Sequence, residues 1–85
     1  MKLKVLYFAS VREKLGKDAE EIDLPAAVAT VAGLRSHLSA RGGAWAEALA
    51  DTKLLRTAVN QDMVPAGASI KAGDEVAFFP PVTGG

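Results

Sequence analysis

Gly73-Asp74-Glu75-Val76-Ala77-Phe78-Phe79-Pro80-Pro81-Val82-Thr83-Gly84-Gly85 is the stretch on which the reading of this chain turns. Gly73-Asp74 is ordinary turn chemistry. Residues 75–79 then set Val76 and Phe78 against Ala77 and Phe79, the pattern of a strand with two distinct faces. Pro80-Pro81 ends the ladder, because neither residue can donate a backbone hydrogen bond. Four uncharged residues follow, the last two without side chains. An apolar strand thus runs straight into a narrow tail, which divides the chain into a domain of residues 1–81 and an extended, flexible C-terminal tail of residues 82–85.

The rest of the chain supplies the partners of that strand. Residues 2–8 read as a first strand, with Leu3, Val5 and Tyr7 alternating against Lys2 and Lys4. Leu6 and Phe8 break the alternation on the lysine side. They form either a second core face or an exposed apolar patch. Ser10 and Glu13 have capping-box spacing, Val11 and Leu15 lie one turn apart, and Gly16 supplies a stop, predicting a helix of one to two turns. Residues 20–24 read as a short strand with Ile22 and Leu24 inward, hairpin-like beside the first and ended by Pro25. The main helix starts at Thr30 as N-cap, carries Val31, Leu34 and Leu38 on one face, and ends at Gly42-Gly43, with Gly33 weakening it. Residues 44–50 predict a second short helical turn carrying Leu49 and Trp45, the latter as a core plug. Residues 54–60 form a further strand, Asn60-Gln61-Asp62 a turn, and Met63-Val64 a very short strand stopped by Pro65. This order predicts an α+β fold, a mixed sheet of four to five strands covered by one main helix, which is a β-grasp.

Composition narrows the function. A chain of 85 residues makes one domain that buries only about 60–65% of its unfolded surface, leaving little room for an enclosed active site. Ten basic residues balance ten acidic ones without clustering, so the footprint of a nucleic-acid or anionic-membrane binder is missing. There is no cysteine for a disulfide, thiolate or zinc site, and one histidine, His37, read as a surface or boundary residue. No metal ligand set is expected. The apolar runs are too short to span a membrane and no leader pattern is visible, so the expected location is the cytoplasm. Asp74-Glu75 is adjacent in a strand, its side chains on opposite faces, and reads as structural.

What remains is the end. Glycine at positions 84 and 85 lets the backbone enter a channel too narrow for a Cβ. A carboxylate on Gly85, with a pKa of about 3.5, is ionised at neutral pH and a poor electrophile. Group transfer from it needs activation, such as conversion to an acyl-adenylate by an ATP-using partner.

Val5-Leu6-Tyr7-Phe8-Ala9 with Arg12-Glu13, Ala58-Val59-Asn60 and the whole segment from Gly73 to Gly85 resemble the small, sulfur-carrying subunits of molybdopterin synthase, of the ubiquitin-like β-grasp family. The resemblance implies that an activating enzyme adenylates Gly85 and that a persulfide sulfur donor protein converts it to a thiocarboxylate. It further implies that the tail enters the large synthase subunit, where sulfur passes to cyclic pyranopterin monophosphate on the way to the dithiolene of the molybdenum cofactor. The chain would then be a sulfurtransferase only as part of a heterotetramer, with no cofactor of its own. Rival readings of the same tail are a ubiquitin-like modifier joined to lysines, a sulfur carrier for thiamine or tRNA thiolation, and an interaction module with an inert tail.

Ordering residues 82–85 in a partner's channel costs roughly 4–8 kcal/mol, at about 1–2 per residue. Phe8 and Phe79 have the off-core parity of neighbouring strands, and burying both returns about 3–6 kcal/mol. A docking patch of Phe8, Phe79, Leu6 and Ala77 is therefore expected, rimmed by Arg12 and Arg56, with Pro80, Pro81, Val82 and Thr83 contacting the partner beside Gly84. The alternative is that these apolar residues pack into a second core face.

Overall fold

Strand β1, Lys2–Tyr7, and strand β5, Glu75–Phe79, lie side by side and parallel, in the register Lys4 to Glu75 through Tyr7 to Phe78. The computed structural model describes residues 1–50 and 52–81. Between the two strands the chain forms α1 (Ala9–Leu15), β2 (Ala19–Asp23), α2 (Val31–Ser39), α3 (Ala44–Ala48), β3 (Arg56–Val59) and β4 (Asp62–Val64). The sheet order is β2-β1-β5-β3-β4, antiparallel except at the central β1/β5 pair. A parallel pair needs a long crossover, and here the whole of α2 lies within it. This mixed five-stranded sheet with a covering helix is the ubiquitin-like β-grasp.

The periodic signals set the core. Leu3, Val5 and Tyr7 of β1 and Val76 and Phe78 of β5 all point to the α2 side and are buried, meeting Val31, Leu34 and Leu38 at helical spacing. Thr30 caps α2 as expected, its hydroxyl accepting from the Gly33 N–H at 3.1 Å. Gly33 is more than a weak point. A Cβ there would lie 3.2 Å from both Thr30 Oγ1 and Val28 Cγ1, so its absence makes room for the cap. Asn60 and Gln61 take φ of 50° and 72°, the positive values a two-residue type I′ hairpin loop requires between Val59 and its partner Asp62.

Other expectations shift. The first strand stops at Tyr7, and Phe8, still extended, is the N-cap of α1 without a side-chain cap bond, so the capping box of Ser10 and Glu13 does not form. Ala9 turns the chain with φ 52° and pushes Ser10 into the helix. Helix α2 ends at Ser39 with Ala40 as C-cap, ahead of Gly42-Gly43, and Gly43 instead opens α3. The strand expected over 54–60 begins only at Arg56, leaving Leu54 outside it. Trp45 is no core plug. It is half-buried, edge-on to Tyr7 at 5.6 Å, with the Arg41 guanidinium 4.4 Å from its ring centroid. That is the geometry of an aromatic ring serving the core on one side and a cation on the other.

Candidate functional site

With α2 across one face, the other face of the sheet is open among the described residues. Cross-strand register lays one row along it, Ala19, Leu6, Ala77, Ala58 and Met63, one residue from each strand. Ala77 and Ala58 are buried yet outside the core cluster, so they form the floor of the row rather than its contact surface. Leu6 is half-buried and Met63 is 55% exposed. Arg56 stands opposite half-buried Phe79.

Phe8 extends β1 by one residue, its N–H donating to the Phe78 carbonyl at 3.2 Å. An extended residue after inward Tyr7 points to the opposite face, and Phe8 is 45% exposed. Its carbonyl accepts from the N–H groups of Val11 and Arg12, which ties its backbone to α1. Arg12 and Arg56 are both exposed and have no ion-pair partner among the described residues. The structure thus brings Phe8, Leu6 and Phe79 to the open face, with Pro80 and Pro81 half-buried at the end of β5. Val82, Thr83, Gly84 and Gly85 lie outside the described residues.

Two features hold β5 in place beneath this surface. One is its pairing on both sides. The other is Asp74, 4% exposed, whose carboxylate accepts from Asn60 Nδ2 at 3.0 Å and the Lys71 N–H at 2.9 Å, while Asn60 Oδ1 accepts from the Glu75 N–H at 3.0 Å. Burial pushes the Asp74 carboxyl up, but the hydrogen bonds from Asn60 and Lys71, with the Lys71 charge, hold it below the usual range overall. Asp74-Glu75 is therefore a structural latch, and His37 is exposed on α2. Among the described residues no group of three or more His, Asp or Glu side chains could hold a metal ion, and no helix is long and apolar enough to cross a membrane.

Met63 was not foreseen as part of this face. The signal was present: a two-residue loop at Asn60-Gln61 forces Met63 opposite Ala58.

A model of the ThiS family matches residues 5–85, spanning Phe8, Phe79 and the last glycine. The chain belongs to the ThiS family. It is 54% identical over 85 residues to the molybdopterin synthase sulfur carrier subunit of Escherichia coli, covering 98% of this chain and 99% of that one. The protein of the same description from Haemophilus influenzae is 51% identical over 83 residues, with 98% and 99% covered. Among solved structures, the small archaeal modifier protein 1 of Haloferax volcanii is 26% identical with a TM-score of 0.76, each chain covered fully. In this ThiS-family chain the candidate site has two parts: the apolar open face, and the chain end it leads to.

Proposed function

We propose that this chain is the sulfur carrier subunit of a molybdopterin synthase, loaded and discharged at Gly85. The observation that carries this reading is its 54% identity, along nearly the whole of both chains, to a protein of that description. The carboxylate of Gly85 attacks the α-phosphate of ATP held by an adenylating enzyme, and pyrophosphate leaves. A persulfide sulfur of the donor protein then attacks the acyl carbon and displaces AMP. A second thiol of the donor cleaves the resulting acyl disulfide, forming a disulfide on the donor and releasing the thiocarboxylate. In the large synthase subunit that sulfur bonds to cyclic pyranopterin monophosphate, and water then hydrolyses the acyl–sulfur bond, leaving sulfur on the pterin and returning the carboxylate for reloading. The chain supplies no acid, base or metal to these steps and holds no cofactor of its own. Its cysteine-free sequence offers no internal thiol to compete for the activated carbonyl. The steps belong in the reducing cytoplasm.

Gly84 and Gly85 serve as the slender reacting end, and Pro80, Pro81, Val82 and Thr83 as its approach. Phe8 and Phe79, rimmed by Arg12 and Arg56, dock the partners. Apolar anchors inside a polar rim are where interface energy concentrates. The likeness to an archaeal modifier protein favours one second reading, in which activated Gly85 is passed to lysine amines. Intact mass spectrometry after incubation with ATP, adenylating enzyme and sulfur donor decides between them. The expected result is a gain equal to exchange of one oxygen for sulfur, reversed by the large subunit and its pterin substrate and lost on removal of Gly85. No gain, or lysine-linked conjugates in its place, overturns the proposal.

A further inference from the structure

Phe8 and Met63 account for two of the three large apolar side chains that stand exposed among the described residues, and both belong to the open face. Leu54, the third and most exposed at 79%, does not. It lies between α3 and β3, on the lip of a groove of about 170 Å³ whose walls include Val11, Lys14, Ala48, Leu55 and Pro80. Its position is held from behind. The Arg35 guanidinium of α2 donates to the carbonyls of Leu49, Ala50 and Lys53, at 2.9 Å and 2.7 Å for the first and last. Leu54 thus follows directly on a clamped backbone and is presented to solvent by it.

We propose that this groove is a second docking site, in which the large subunit that accepts the tail seats an apolar side chain against Leu54. The inference rests on the reading of the chain as a synthase subunit. Pro80 both lines the groove and begins the approach to the tail, so a protein gripping residues 82–85 meets the groove as it does so. Of the groove's charges, Lys14 is paired with Glu47 at 2.9 Å and Lys53 has no ion pair among the described residues. The apolar walls therefore suit an apolar side chain whose neighbour in the partner can carry an acidic group to Lys53. A long-lived subunit contact is also more apolar than a passing encounter with an activating enzyme, which favours the large subunit as the occupant.

The test is calorimetric titration of the full chain and its Leu54→Ser and Leu54→Met variants against purified large subunit and, separately, purified adenylating enzyme. Leu54→Ser is expected to weaken large-subunit binding roughly tenfold or more, with Leu54→Met close to wild type and the unfolding midpoint of both unchanged. Equal affinity of Leu54→Ser and wild type for the large subunit overturns the proposal, as does a loss confined to the adenylating enzyme. A rise in affinity also overturns it, since the groove would then be holding this chain's own tail back. If the wild-type chain itself fails to bind the large subunit, the reading of the chain as its partner has failed instead.

Discussion

Replacing Phe78 and Phe79 by alanine, one at a time, asks two adjacent residues to behave in opposite ways. Phe78 is fully buried beneath α2, and Phe79 points to the open face and is half-buried. Truncating a fully buried phenylalanine costs about 3–5 kcal/mol. A domain of this size has a total stability of only about 4–13 kcal/mol, so Phe78→Ala should leave a protein that is largely unfolded or melts far below wild type. Phe79→Ala removes less buried area and should cost no more than about 1.5 kcal/mol of stability. Its loss should appear in binding, at about 2 kcal/mol or roughly thirtyfold if it is an interface anchor. Urea unfolding followed by fluorescence of Trp45, the single tryptophan, gives the first quantity, and titration with the large subunit gives the second. The assignment of the two faces fails if both variants lose similar stability. The docking role of Phe79 fails if its alanine variant binds both partners like wild type.

Ala9→Gly should raise stability by about 0.5–1 kcal/mol, because alanine at φ 52° carries a steric cost that glycine avoids, partly offset by glycine's freer unfolded state. A melting point at or below wild type would show that Ala9 is not strained. Asp74 titrates below its ordinary value in the fold, so the stability it contributes is fully present above the unfolded carboxylate pKa and is lost as pH falls through the folded one. Asp74→Asn should therefore be less stable than wild type at neutral pH, with a gap that narrows on acidification. A pH-independent gap in urea midpoints would refute this.

How far the chain could be read from its residues follows from what each signal depends on. The apolar face of α2 and its Thr30 cap were legible because both are local, set by spacing along one helix. The hairpin at Asn60-Gln61 and the parity of β1 and β5 were legible for the same reason. The capping box at Ser10 misled because Phe8 finds its partner across the sheet, in the Phe78 carbonyl, and stays extended one residue longer than the pattern assumes. Leu54 read as the first residue of a strand because it and Leu55 begin an apolar stretch after Lys53. What places it outside is a clamp from Arg35, nineteen positions earlier, and no local pattern encodes that. Whether Leu6 and Phe8 faced a second core layer or solvent was open in the sequence. Only the sheet order, with nothing packed on the far face among the described residues, resolves it.

The open face is itself divided, and the division bears on how a partner must sit. Toward the start of β1, register sets Lys2 opposite Asp23 and Lys4 between Glu21 and Glu75. Each lysine thus lies across from an acid on a neighbouring strand, although neither forms an ion pair among the described residues and Asp23 is held by the Met1 amino group, so this half is polar rather than apolar. Toward the other end the row becomes Leu6, then Phe8 and Phe79, with Arg12 and Arg56 unpaired at its edges among the described residues. Because β1 and β5 are parallel, both strands finish at this same edge, which is also where Pro80 leaves the sheet. The parallel pairing at the centre of the fold therefore does more than close the sheet. It gathers the apolar half of the face, Phe8 and Phe79, and the end of β5 with Pro80 at one end of the sheet, so that under the proposed function a protein docking on Phe8 and Phe79 would also meet Pro80 and Pro81.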